Sequence, residues 1–222
     1  MKGIFGKERY SAFLCNKFRL LDCWVFIIAL FSLFISIGMI GCLDSSKKGL
    51  LRPDKLSERE RIEIASELFK EGLKFLENDK DGKAITSFKK ALEYDQNVSA
   101  VHNNLGILYK RKGMIDKAID EYLKAIDIDQ NYYEAHNNLG IAYREKGDFK
   151  KAEKEYKDTI DIMPLFKDAY LNLGVLYDLY LNQPEKALKN YRKYLKLGGN
   201  KKEVELWISD LENLLEGYDE FE

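Results

Sequence analysis

The apolar residues of the chain are distributed in two different ways. Residues 24–41 are apolar and carry no charge, and they follow a basic stretch that runs from Lys2 to Arg19. From Ser57 onward, charged residues separate the apolar ones at helical spacing. The pattern therefore predicts an N-terminal segment that enters a membrane, followed by a charged body of amphipathic helices.

A polar stretch, residues 42–56, joins these two parts. It contains Ser, Gly and Pro and has no sustained period, which is typical of a flexible tether. Ser57 and Glu60 then form the S-x-x-E pattern, in which each side chain accepts a hydrogen bond from a free backbone N–H at a helix start. We therefore predict a folded domain over residues 57–216 and an acidic tail over residues 217–222.

The body repeats with a period of thirty-four residues. Each row contains a Gly, a Tyr three residues later, then an Ala, and a second Tyr four residues beyond that Ala. The recurring residues are Gly106, Gly140 and Gly174; Tyr109, Tyr143 and Tyr177; Ala118, Ala152 and Ala187; and Tyr122, Tyr156 and Tyr191. This spacing predicts two helices in each row, with small residues on one helix facing large residues on the other.

The order of these residues resembles the tetratricopeptide repeat (TPR) family. The resemblance covers residues 65–201 and implies an all-α solenoid of antiparallel helix pairs, preceded here by the N-terminal apolar helix. The implied repeats are 65–98, 99–132, 133–166 and 167–201. The amphipathic run VELWISDLENLL after Asn200 predicts a C-terminal capping helix, because the last repeat would otherwise expose its apolar face.

The residues Met39-Ile40-Gly41-Cys42 resemble the lipobox of bacterial lipoproteins. Under this interpretation residues 1–41 are a signal peptide, and Cys42 is lipidated and becomes the membrane anchor. The alternative is an uncleaved single-pass anchor, since the apolar run is at the short end of a spanning helix. Both interpretations place the body on the extracytoplasmic (periplasmic) side by the positive-inside rule, and Leu43 after the cysteine favours the outer membrane.

The composition argues against several kinds of function. With 36 basic and 37 acidic residues and no basic cluster in the body, we expect no nucleic-acid partner. The body has no cysteine and no P-loop, H-E-x-x-H or G-x-S-x-G motif, so we predict no enzyme activity, no cofactor and no metal. His102 and His136 occupy the first aromatic position of two repeats and are interpreted as packing residues.

The resemblance implies a concave groove that binds proteins or extended peptides. Asn104, Asn138 and Asn172 recur two residues before each Gly, and their amides offer both a donor and an acceptor to a peptide backbone. The alternative is that these amides cap or bridge helices within the array. The other predicted groove residues are Ile107, Ile141 and Val175, which form an apolar floor, and Lys110, Arg111 and Arg144, which form a basic edge.

These features together predict a membrane-tethered scaffold that binds protein partners in the cell envelope. Its layout resembles that of pilotin-like lipoproteins, so assistance in assembling an envelope complex such as a pilus is the leading hypothesis. The alternative is an accessory regulator of a cell-envelope enzyme. Glu134, Asp168 and Asn172 stand where chaperone-binding relatives carry Lys and Arg, so we do not expect a chaperone tail as the ligand.

Overall fold

The computed structural model describes residues 52–219 of the chain. The predicted signal peptide or anchor, its apolar helix and Cys42 lie outside the described residues. The chain divides into two units, residues 1–56 and 57–222, and the described part of the first contains the short 3-10 turn Pro53–Lys55 within the predicted tether. Among the helices of the described part, none has both the length and the apolar character that a membrane span requires.

The second unit is built from α-helices, and the structure shows no strand between residues 52 and 219. The helices are α1 (Glu58–Glu77), α2 (Asp81–Tyr94), α3 (Ser99–Arg111), α4 (Ile115–Ile128), α5 (Tyr133–Lys146), α6 (Phe149–Ile162), α7 (Lys167–Leu179), α8 (Pro184–Lys196) and α9 (Lys201–Asp219). The first eight form four successive pairs, and each pair packs on the next. The predicted all-α solenoid of helix pairs is confirmed.

The ends of several helices follow from local residues. Ser57 and Glu60 form the predicted capping box at the start of α1: the Ser57 N–H donates to Glu60 Oε2 over 2.9 Å, and the Glu60 N–H donates to Ser57 Oγ over 3.4 Å. Gly147 ends α5 with φ of 88°, a left-handed conformation that glycine adopts without steric cost. Pro184 begins α8 at the first turn, where its missing N–H is not needed.

The core of each pair is a contact between a glycine and an aromatic ring. A Cβ on Gly106 of α3 would lie 2.5 Å from the Tyr122 ring of α4, and Tyr122 itself is fully buried. Gly140 and Tyr156 repeat this contact between α5 and α6. The predicted packing of small against large residues is therefore confirmed, and it sets the close approach of the two helices in a pair.

The last helix, α9, packs on α8 through Val204 and Leu211, which are buried in the same cluster as Tyr191. This agrees with the predicted capping helix. The helix continues to Asp219, so its last residues occupy the beginning of the segment that we predicted to be an acidic tail. Residues 220–222 of that tail lie outside the described residues.

Candidate functional site

The three predicted asparagines lie at equivalent positions on α3, α5 and α7, and all three are half-buried. We call the surface that they form with the predicted floor the amide groove. Its residues are Asn104, Asn138, Asn172, Ile107, Ile141 and Val175. The first helix of each pair supplies these residues, and their role as a peptide-binding groove stays a prediction.

The amide nitrogens of these asparagines are bonded within the array. Asn138 Nδ2 donates to Asn103 Oδ1 over 3.0 Å, which joins α5 to α3. Asn172 Nδ2 donates in the same way to Asn137 Oδ1 over 3.0 Å, which joins α7 to α5. Asn104 Nδ2 instead donates to the Ala100 carbonyl of its own helix, over 2.7 Å. The bridging interpretation therefore describes the amide nitrogens of Asn138 and Asn172 but not that of Asn104.

The acceptor half of each amide has a different environment. Within residues 52–219, no donor reaches Oδ1 of Asn104, Asn138 or Asn172, and none of these oxygens is a buried atom without a partner. Because an amide is planar, the bond at Nδ2 also fixes the direction of Oδ1. Each of the three asparagines therefore carries an amide oxygen that is free to accept a hydrogen bond within the described residues.

Asn103 and Asn137 are buried residues beneath the amide groove that the sequence pattern did not single out. Both are buried and accept the bridging bonds described above. Asn103 Nδ2 also donates to the Tyr132 hydroxyl over 3.4 Å. Phe166 stands thirty-four residues after Tyr132 and has no hydroxyl, so Asn137 Nδ2 has no acceptor in the described part of the chain. In the sequence, Asn103 and Asn137 could have been found because each directly precedes a predicted groove asparagine and forms an Asn-Asn doublet with it.

The predicted floor is apolar and anchored in the core. Ile107 packs against the cluster that contains Tyr122 and Leu139, and Ile141 and Val175 pack against the cluster of the third and fourth pairs. All three floor residues are half-buried, so part of each side chain remains available. A ligand in the amide groove would meet apolar surface between the amide oxygens.

The predicted basic edge is largely neutralised by ion pairs. Lys110 Nζ lies 3.2 Å from Glu145 Oε1. The Arg111 guanidinium contacts the carboxylates of two residues in the first pair, Asp79 and Asp81, each at 3.2 Å. Arg144 has no carboxylate within ion-pair distance in the described residues. It is therefore the residue of this edge that keeps an uncompensated charge.

Two His–Glu pairs join helices: a part-buried one joins α3 to α4, and a buried one joins α5 to α6. His102 Nδ1 lies 2.7 Å from Glu121 Oε2, and His136 Nδ1 lies 2.7 Å from Glu155 Oε2. The hydrogen bond that His136 donates to Glu155 raises the pKa of His136, and the carbonyl of Gln130, 3.2 Å from Nε2, also raises it, whereas burial lowers it. Both histidines are packing residues, as predicted, but they pack as polar pairs.

One group of side chains in residues 52–219 offers metal-ligand atoms close together. Ligand atoms of His136, Glu155 and Asp158 lie within 4.8 Å of one another, and this donor set suits a divalent transition metal. The Lys154 ammonium, however, lies 3.4 Å from Glu155 Oε1 and 2.7 Å from Asp158 Oδ2. Because this ammonium already supplies positive charge to both carboxylates, we interpret the group as an ion-pair network that holds α5 to α6.

Sequence comparisons identify the repeats. Residues 97–164 and residues 168–197 match two family models, both described as tetratricopeptide repeat. No curated protein is significantly similar to the chain in sequence.

Several solved structures are similar to the chain. Pseudomonas aeruginosa pilF is 25% identical, with a TM-score of 0.64, over 71% of this chain and 72% of that one. MamA is 28% identical, with a TM-score of 0.57, over 60% of this chain and 78% of that one. The first TPR domain of Spaghetti (RPAP3), bound to the HSP90 peptide SRMEEVD, is 20% identical, with a TM-score of 0.52, over 53% of this chain and 93% of that one. This last likeness concerns the fold alone.

Proposed function

We propose that this chain, which belongs to the tetratricopeptide repeat family, binds an extended segment of a partner protein along the amide groove. Proteins built from such repeats are protein-interaction scaffolds, and the curvature of their arrays creates extended concave binding surfaces. The observation that carries the proposal is the row of acceptor oxygens on Asn104, Asn138 and Asn172. Their nitrogens are held by the array, and their oxygens are left for a ligand.

An extended peptide matches this row chemically. Its backbone N–H groups are strong donors at regular spacing, and each amide oxygen of the groove can accept one. Alternate side chains of such a peptide would point towards the apolar floor of Ile107, Ile141 and Val175. Backbone hydrogen bonds would then supply affinity, and the floor would select apolar side chains.

We also propose that the chain is tethered to a membrane through Cys42 and works in the cell envelope on the periplasmic side. The lipobox-like residues 39–42 support the tether, and the basic stretch before the apolar run supports the orientation. The pilotin-like layout of the sequence, together with the structural similarity to Pseudomonas aeruginosa pilF, supports a role in assembling an envelope complex such as a pilus.

Site-specific crosslinking tests where the partner binds. A photo-crosslinking amino acid at Ile141, on the floor of the amide groove, should capture the partner in cells. The same amino acid at Leu123, an exposed residue of α4, provides the matched control and should capture much less. Equal capture from both positions, or capture from Leu123 alone, would place binding outside the groove.

The identity of the captured protein separates the two functional hypotheses. Mass spectrometry of the Ile141 crosslink should identify a subunit of an envelope assembly. An envelope hydrolase or transferase in the same crosslink would instead support the accessory-regulator alternative. In either case, Asn138→Ala should reduce the crosslinked product, because it removes one oriented acceptor from the groove.

A further inference from the structure

The buried positions of α9 match those of α7, the first helix of the fourth pair. Val204 and Leu211 of α9 are buried, with 4% and 6% of their surfaces exposed, and Ala169 and Leu176 lie thirty-five positions earlier on α7, where both are fully buried. With the same shift of thirty-five positions, exposed residues of α9 correspond to residues of the amide groove on α7. Trp207 then corresponds to Asn172, so α9 takes the place of a fifth groove helix.

A ring contact places Trp207 against α8, the second helix of the fourth pair. The Trp207 ring centroid is 5.4 Å from the ring centroid of Tyr191. Tyr191 in turn lies against α7, because a Cβ on Gly174 would be 2.6 Å from its ring. Gly174 is next to Val175 on the floor of the amide groove. Trp207 therefore lies on the side of α9 that faces the fourth pair, and its correspondence with Asn172 rests on the shift of thirty-five positions.

This end of the groove is apolar and exposed. Leu206, Trp207 and Leu214 project from one side of α9, with 63%, 37% and 47% of their surfaces exposed. Leu179 of α7, thirty-five positions before Leu214, is 69% exposed. On α3 and α5 the position that corresponds to Leu206 is an asparagine, Asn103 or Asn137. The groove thus changes along its length from amide side chains to large apolar ones.

Carboxylates border the apolar residues. Glu203 and Asp210 lie on the same side of α9, three residues before Leu206 and three residues after Trp207, and Asp168 occupies the position on α7 that corresponds to Glu203. All three are exposed, and in the described residues no basic side chain pairs with them. Glu203 and Asp168 are in first turns, where carboxylates stabilise a helix. That role does not account for Asp210, which lies in the middle of α9.

We propose that this end of the groove binds a basic and apolar segment of the partner protein. The site, which we call the α9 site, consists of Leu206, Trp207, Leu214, Glu203 and Asp210. A large apolar side chain of the partner packs against Trp207 and Leu206, and neighbouring Lys or Arg side chains face the two carboxylates. A cation over the indole ring adds a cation–π contribution. The proposal rests on the proposed function, since it extends the same groove.

Three short synthetic peptides test this chemistry against the full-length chain by fluorescence anisotropy. The first alternates Leu or Phe with Lys, the second replaces each Lys by Glu, and the third keeps Lys but replaces the apolar residues by Ser. The first peptide should bind at least about tenfold more tightly than the others, because it alone satisfies both the apolar strip and the carboxylates. Equal affinity for all three peptides, or no binding by any, would overturn the proposal.

Variants of exposed residues locate the binding without disturbing the core. Leu206→Ser should weaken binding of the first peptide about tenfold, and Asp210→Lys should weaken it while improving binding of the Glu peptide. Leu123→Ser changes a similarly apolar exposed residue of α4 and should leave the affinity unchanged. A Leu206→Ser protein that binds the first peptide as tightly as the wild type would contradict the assignment.

Two further outcomes keep this inference separate from the proposed function. If Asn104→Ala and Asn138→Ala weaken peptide binding but Leu206→Ser does not, the amide groove stands and the α9 site is wrong. If Leu206→Ser alone weakens it, the α9 site stands and the amide groove is wrong.

Light scattering tests whether a second copy of the chain occupies this surface instead. A wild-type dimer that Leu206→Ser converts to a monomer would show that it does and would overturn the proposal.

Discussion

Asn138 on α5 donates a hydrogen bond from Nδ2 to Oδ1 of Asn103 on α3, over 3.0 Å. The nitrogen of the Asn138 amide therefore holds two repeats together, and its oxygen is the acceptor that we propose for a ligand. Asn172 and Asn137 repeat the relationship one repeat later. A substitution at these positions should affect both stability and binding, whereas Asn104, which is bonded only within its own helix, should affect binding alone.

Alanine variants of the three groove asparagines should separate these two effects. Asn104→Ala should leave the melting temperature unchanged, whereas Asn138→Ala and Asn172→Ala should lower it. Each variant should weaken partner binding, since a hydrogen bond contributes about 0.5–1.5 kcal/mol net, and all three together should weaken it roughly tenfold to a thousandfold. Calorimetric unfolding and titration of the same samples provide the measurements. Unchanged affinity in the triple variant would move the binding surface to the convex face.

The stability of the chain should fall as the pH rises through the neutral range. The hydrogen bond that His136 donates to the Glu155 carboxylate raises the pKa of His136 above 6.5, with burial opposing it, so the folded state holds the proton more tightly than the unfolded state. The stabilisation is therefore complete below about pH 6.5 and is lost as the pH rises through the higher, folded-state pKa. Urea unfolding at a series of pH values measures this loss.

His136→Gln supplies the control for the pH effect. His136→Gln removes the group to which the pH dependence is assigned, so its stability should vary less than that of the wild type between about pH 6 and pH 8. Below the wild-type pKa, His136→Gln should be destabilised by about 1–3 kcal/mol, because a buried partner of Glu155 is lost. Parallel pH profiles for wild type and His136→Gln would contradict the assignment.

Gly140→Ala should destabilise the third pair of helices. The added Cβ would lie 2.6 Å from the Tyr156 ring, and overpacking of this kind typically costs about 1–3 kcal/mol. Gly82→Ala is the matched control, because nothing lies within 4 Å of a Cβ at that helical position. It should be neutral or stabilising by up to about 1 kcal/mol. Equal unfolding free energies for the two variants would contradict the packing account.

Cys42→Ala should abolish palmitate incorporation and leave a slower-migrating precursor. The reason is that Cys15 and Cys23 are not preceded by lipobox-like residues, so they offer the peptidase no comparable site. Metabolic labelling and gel mobility measure both effects. The single-pass alternative predicts instead that the wild type is not labelled and that the variant remains in the membrane. Persistent labelling of the variant would exclude Cys42 as the lipidated residue.

The repeat period made the fold predictable from the sequence, because residues equivalent to Gly106 and Tyr122 recur in each repeat, where the two helices must approach closely. The recurrence of Asn104, Asn138 and Asn172 was visible in the sequence for the same reason. The ion pairs of Lys110 and Arg111 were not, because they join residues that are far apart in sequence and are set by the stacking of repeats. The apolar end of the groove was missed because α9 has no Leu-Gly pair, so the register of Trp207 emerges only from which residues are buried.

Deleting residues 201–222 should destabilise the fourth pair of helices more than the first. Each pair contacts mainly its neighbours, and the deletion uncovers Tyr191, which is now 1% exposed. Hydrogen exchange should therefore accelerate in α7 and α8 and stay nearly unchanged in α1 and α2. Deleting only residues 220–222 is the control and should change neither.

Single substitutions in α9 show which contacts carry this effect. Leu211→Ala removes a side chain that is 6% exposed and should destabilise by about 2–5 kcal/mol. Trp207 keeps 37% of its surface exposed, so Trp207→Ala should destabilise by less than the roughly 3–5 kcal/mol expected for a fully buried ring.

The capping role of α9 would be contradicted if deleting residues 201–222 accelerated exchange equally in all four pairs, because the array would then unfold as one cooperative unit. Because Trp207 also belongs to the α9 site, Trp207→Ala should weaken binding of the peptide that alternates Leu or Phe with Lys more than Leu211→Ala does. This difference separates the capping role of the helix from its binding role.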